Sequence, residues 1–89
     1  MNQIIVMGCI KNINTNNKEF TISIPRSYPT YNGDYLNDVV LCKHINSINK
    51  NMTSYICIND SILIKGRLET DNGAYYIAVE SYQVLQRKV

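Results

Sequence analysis

The side chains that could make or break bonds in this chain are few and scattered. The single histidine, His44, sits beside Lys43, and no motif pairs it with a serine or cysteine nucleophile. The seven carboxylates, Glu19, Asp34, Asp38, Asp60, Glu69, Asp71 and Glu80, are spread along the sequence. No glycine-rich phosphate loop occurs. Cys9, Cys42 and Cys57 are odd in number, match no zinc spacing and lie among apolar neighbours. They read as reduced core or near-core residues of a cytoplasmic protein. The sequence therefore predicts no enzyme, no cofactor and no metal site.

Tyrosines and cations offer a different chemistry. The chain has seven tyrosines, one phenylalanine and no tryptophan. Tyr28 and Tyr31 lie in a loop marked by Pro29, Asn32 and Gly33; Tyr35 opens an apolar run; Tyr75 and Tyr76 follow Gly73. Arg26, Lys43, Lys65 and Arg67 lie on or beside the same segments. Flat rings at a surface stack on nucleobases, and interleaved cations track a phosphate backbone. Surface tyrosines are also common in strands with no ligand. The net charge of +2 permits a polyanion partner without requiring one.

The elements that must position these residues follow from periodicity. At 89 residues, with 45% hydrophobic and 18% charged, the chain reads as one globular domain over residues 1–89. No apolar run approaches membrane-spanning length, and no secretory signal opens the chain, so no membrane is expected. Gln3 to Ile10 predicts a first strand, interrupted at Gly8, with a polar turn over Asn12 to Asn17. Phe20, Ile22 and Ile24 alternate with Thr21 and Ser23, a half-buried second strand ended by Pro25, with Phe20 in the core. Tyr35 to Cys42 predicts a third strand. If Leu36 and Val40 face the core there, Tyr35 and Asn37 face outward.

From His44 the spacing changes. Ile45, Ile48, Met52 and either Tyr55 or Ile56 recur at helical steps. Ile62, Ile64, Gly66 and Leu68 then form a fourth strand, with Lys65 and Arg67 on its outer face. Asp71-Asn72-Gly73 is a hairpin signal, and Tyr75 to Leu85 is the fifth strand. The predicted fold is all-β: a five-stranded OB-fold barrel with one short helix between strands 3 and 4. Closing the barrel removes the edges that a small open sheet would expose.

These residues resemble the bacterial single-stranded DNA-binding protein family, over nearly the whole chain. Met1-Asn2-Gln3-Ile4-Ile5-Val6-Met7-Gly8 is similar to its first strand. Phe20-Thr21-Ile22-Ser23-Ile24-Pro25-Arg26-Ser27-Tyr28 is similar to its second, which ends in arginine and then an aromatic. Asp34-Tyr35-Leu36-Asn37-Asp38-Val39-Val40-Leu41 resembles the third, leading to a lysine near Lys43. Ser61 to Thr70, with Gly66-Arg67-Leu68, resembles the fourth, and Tyr76 to Leu85 the last. The resemblance implies base stacking at Tyr28 and Tyr35, basic contacts at Arg26 and Lys43, and a homodimer or homotetramer built through the first strand.

The sequence departs from the family in places. Leu41 stands where an aromatic is usual, and Asp38 where an inward apolar residue is expected. The Asp71-Asn72-Gly73 hairpin replaces a long loop, and no acidic-tipped tail follows Val89. These losses fit a minimal member encoded by a mobile element. The candidate nucleic-acid-binding set is Arg26, Tyr28, Tyr31, Tyr35, Asn37, Lys43, Lys65, Arg67, Tyr75 and Tyr76. The expected function is sequence-tolerant binding of single-stranded DNA in replication, recombination or repair, with RNA left open. The alternative is a primosome-type adaptor that mainly holds a replication protein.

Overall fold

Alternating apolar residues on five strands build the molecule by turning one face inward. The computed structural model describes residues 2–16, 18–44 and 55–87. The strands are β1 (Ile4–Asn14), β2 (Glu19–Pro25), β3 (Asn37–His44), β4 (Ser61–Asp71) and β5 (Ala74–Gln86). They close into a barrel in the order β1-β2-β3-β5-β4, with β4 returning to β1. All pairings are antiparallel except β3 with β5. This is the strand arrangement of an OB-type barrel.

Inward residues from every strand meet in one core of Ile10, Phe20, Ile22, Cys42, Ile62, Ile64, Ile77 and Val79. Each fully buried Ile, Val or Phe stabilises the fold by roughly 1.5–3 kcal/mol. Phe20 lies in this core as its alternation predicts. Ile56 packs on the same core while Tyr55 is exposed, so of the two only Ile56 is a core residue. The predicted helix itself falls mainly on residues 45–54, outside the described residues.

Three boundaries differ from the sequence expectation. The Asn-rich stretch is not all turn, because β1 continues through Asn12, Ile13 and Asn14 to pair with Thr21, Phe20 and Glu19. Cross-strand pairing overrides the weak β preference of asparagine, and a register shift between Ile10 and Asn12 absorbs the irregularity. β3 begins at Asn37, not Tyr35, and runs on to His44, which is its last residue rather than a helix start. The main-chain N–H of His44 donates to the carbonyl of Lys18, extending the sheet. Its ring Nε2 is buried with no partner among the described residues. Burial, and secondarily the charge of Lys18, lowers its pKa and favours the neutral ring.

The cysteines also divide. Cys42 is buried, whereas Cys9 and Cys57 are exposed, so only one of the three is a core residue. Cys9 shares the outward parity of Ile5 and Met7 on β1.

Two glycines carry the backbone where other residues cannot. Asn72 and Gly73 both have positive φ, 51° and 85°, between the paired residues Asp71 and Ala74. That is the two-residue hairpin turn that the Asp-Asn-Gly signal predicts. Gly66 sits at a register shift in β4, and a Cβ there would collide with the carbonyl oxygen of Ala78.

Asn2 supplies a fastening that the sequence did not announce. Its side-chain amide donates to the carbonyl of Leu68 at 2.6 Å and accepts from the Leu68 N–H at 3.1 Å. An amide side chain thus makes the pair of bonds that a neighbouring strand residue would make.

Candidate nucleic-acid interface

β2 and β3 form a hairpin whose ladder runs from Glu19 opposite Lys43 to Pro25 opposite Asn37. One further main-chain bond, Arg26 N–H to Leu36 carbonyl at 2.9 Å, carries it past the strands. The connecting loop is ordered by its own bonds. Gly33 N–H donates to the Thr30 carbonyl, and Asp34 N–H donates to the Thr30 hydroxyl at 3.2 Å. Tyr28, Tyr31 and Tyr35 all project from this loop with most of their surface open, at 61%, 103% and 68% exposure. Leu36 is exposed too, so the inward role expected of it does not hold; this end of the hairpin extends past the inward-facing core positions.

From this tip a strip runs along the outer face of β3 through Asn37, Val39 and Leu41 to Lys43. Val39 is exposed, and Leu41 lines a cavity of about 190 Å³ with Asn12, Ile13, Asn14, Glu19, Phe20 and Thr21. The six residue steps from Asn37 to Lys43 span about 20 Å. At its far end Lys43 pairs laterally with Ala78 of β5, and Ala78 with Arg67 of β4. The sheet order thereby gathers Lys43, Arg67 and Tyr76 into one outward cluster. Tyr75 is exposed nearby, and Lys65 lies farther along β4, between Ile5 and Ser81 in the register.

The cations at both ends of this strip are heavily compensated, and at the tip Arg26 and Asp38 lie on the opposite side of the hairpin, continuing the parity of Ile22 and Val40. The Arg26 guanidinium holds both oxygens of Asp38, with Nε at 3.1 Å from each and Nη2 at 2.8 Å from Oδ1. The hydrogen bond from Arg26 keeps the Asp38 carboxyl below its ordinary pKa, and the same bond raises that of Arg26. Asp38, out of place as an inward residue, is thus a rim residue facing Arg26 across the hairpin. Lys43 Nζ lies 3.6 Å from Asp71 and 4.5 Å from the centre of the Tyr76 ring. The Tyr76 hydroxyl donates to Glu69 at 2.8 Å, and Arg67 Nε lies 3.9 Å from the same carboxylate. The bond to Glu69 raises the Tyr76 pKa and keeps the phenol protonated. Tyr76 therefore has one ring face covered by an ammonium and its hydroxyl engaged, unlike the three loop tyrosines. Among the described residues, Lys65 has no ion-pair partner.

A second polar cluster lies away from this strip. Asp60 is fully buried; it accepts from the Cys57 N–H at 2.9 Å and lies 3.6 Å from Arg87. Arg87 also donates to the Tyr55 carbonyl at 2.7 Å. The cluster ties the end of β5 to the turn before β4. Its role is structural, since it secures a turn whose Asn59 has a φ of 75°.

No family model matches the sequence, and no curated protein matches it. Solved structures do share its fold. The mitochondrial single-stranded DNA-binding protein Rim1 of S. cerevisiae is 12% identical, covering 98% of this chain and 97% of its own, with a TM-score of 0.73. The small single-stranded DNA-binding protein of Streptomyces coelicolor is 10% identical, covering 92% of this chain and 90% of its own, at 0.65. The Plasmodium falciparum SSB, in complex with single-stranded DNA, is 11% identical, covering 99% and 96%, at 0.73. At such identities the likeness is one of fold, and it extends over nearly the full length of each chain.

Proposed function

We propose that this chain binds single-stranded DNA without sequence preference. Bases stack on Tyr28, Tyr31 and Tyr35, and Arg26, Lys43, Lys65 and Arg67 contact the backbone. Asn37 and Tyr75 border the track at its two ends. The observation that carries this reading is the ordered hairpin tip with three open tyrosine rings, continued by an outer strip toward Lys43 and Arg67. Base–aromatic stacking contributes about 1–3 kcal/mol per base and tolerates any sequence, because every base has a π-face. The full-length fold likeness to single-stranded DNA-binding proteins supports the same reading. Service in replication, recombination or repair, and assembly as a homodimer or homotetramer, belong to the proposal.

Titration with oligo-dT, followed by tyrosine fluorescence, tests it. Tyr35→Ala is expected to weaken binding by about 5- to 150-fold, the equivalent of one lost stack. Unchanged affinity in that variant would remove the hairpin tip from the binding surface. A second reading is favoured by one observation, the compensation of Arg26, Lys43 and Arg67 by carboxylates. An adaptor that holds a replication protein has less need of free cations. Recovery of such a protein in a pull-down, with negligible oligo-dT binding, would select it.

A further inference from the structure

We infer that Asp38, Asp71 and Glu69 are built-in competitors for phosphate, so that an incoming strand must displace a carboxylate at each of three cations. The inference rests on the nucleic-acid reading and concerns how that surface is tuned. Three of the four proposed backbone-binding cations face a carboxylate: Arg26 faces Asp38 at 2.8 Å, Lys43 faces Asp71 at 3.6 Å, and Arg67 faces Glu69 at 3.9 Å. The three cations and three carboxylates sum to zero charge.

The Arg26 pair is the most developed. Two donor nitrogens of the guanidinium grip one carboxylate, the same planar fork with which arginine grips phosphate. A phosphate therefore finds the Nε–Nη2 edge of the fork occupied by a group of matching shape and sign. The pair is open to solvent, with 34% and 49% of the two side chains exposed, so its strength is modest and an anion can exchange with it. The register fixes the competitor in place. Asp38 stands opposite Ile24, two residues before Arg26, so the carboxylate always lies within reach of the guanidinium. Asp71 is held beside the tight Asn72-Gly73 turn, and Glu69 is anchored by the hydroxyl of Tyr76.

Two consequences separate this arrangement from a plain basic surface. Affinity is held down, because each contact exchanges one anion for another. Salt dependence is shallow as well. Each single-strand phosphate neutralised by a free cation contributes about 0.7 to the slope of log K against log salt. A cation that already has a carboxylate contributes less, since the phosphate arrives beside a negative charge. Lys65, which pairs with Ile5 on β1, contributes fully only while the Ile5 and Met7 strip is uncovered.

The test measures oligo-dT binding across a salt series for the wild type, Asp38→Asn, Asp71→Asn, Arg26→Gln and the Arg26→Gln/Asp38→Asn pair, with Tyr35→Ala in parallel. Asp38→Asn is expected to tighten binding by about two- to fivefold and to steepen the slope by up to about 0.7. Asp71→Asn is expected to act in the same direction. In the Arg26→Gln background the gain from Asp38→Asn should vanish, because the carboxylate acts through that guanidinium. The inference is overturned if Asp38→Asn and Asp71→Asn change neither affinity nor slope. It is also overturned if Asp38→Asn tightens binding equally in both backgrounds, which would be an effect of net charge alone. In either case a weakened Tyr35→Ala would leave the nucleic-acid reading standing. Absence of binding by every variant would overturn both.

Discussion

A side chain's role here depends on what stands against it. Tyr28, Tyr31, Tyr35 and Tyr76 are the same residue, yet three present open rings and the fourth lies under Lys43 with its hydroxyl on Glu69. Sequence supplied the residue types and most of the parity, but the ion pairs were not readable from it. Arg26 and Asp38 are 12 residues apart and meet only through the hairpin register. Asp38 did carry a signal, as a carboxylate in an apolar pattern, though its partner was hidden. The cysteines make the same point. Neighbouring residues in sequence were apolar around all three, but β1 turns Cys9 outward, and Cys57 sits in the exposed turn before β4. The buried Cys42 has its thiol pushed up to about 12 by desolvation. At mildly alkaline pH, iodoacetamide should therefore add to Cys9 and Cys57 promptly and to Cys42 only on unfolding. Mass spectrometry counts the adducts; a third that appears as fast as the first two would show that the core opens at Cys42.

At the scale of elements, strands with strict alternation were legible and their ends were not. β2, β4 and β5 fall within a few residues of expectation, because Phe20/Ile22, Ile62/Ile64 and Ile77/Val79 face one core. β1 runs farther than its composition suggests, since Asn12 and Asn14 gain partners in β2 that propensity cannot anticipate. Alternation in β4 makes Gly66 an inward strand position, and its structural reason is closer: the β5 backbone fills the space that a side chain would need. Gly66→Ala should destabilise the barrel by about 1–3 kcal/mol, the usual penalty for forcing a group into filled space. Urea denaturation measures it. A variant as stable as the wild type would mean that the β4–β5 register shift accommodates a methyl group.

At the scale of the whole molecule, barrel closure was inferred from element order and is realised by β1 pairing β4 and by the parallel contact of β3 with β5. Closure leaves an outward apolar strip on β1, where Ile5 and Met7 are 65% and 58% exposed. The proposed oligomer would cover this strip, and a domain of 89 residues, burying only about two thirds of its unfolded surface, gains from such a contact. Ile5→Ser/Met7→Lys should shift the sedimenting species to the monomer, while a wild type that is already monomeric would dismiss the strip as an interface. The central claim is single-strand binding by the hairpin surface. Oligo-dT titration of the wild-type protein across a salt series, read by tyrosine fluorescence, tests it most directly. Saturable quenching is expected, with an affinity that falls linearly on a log scale with salt and a slope shallower than about −0.7 for each phosphate contacted. Unquenched tyrosines at every salt concentration would contradict it.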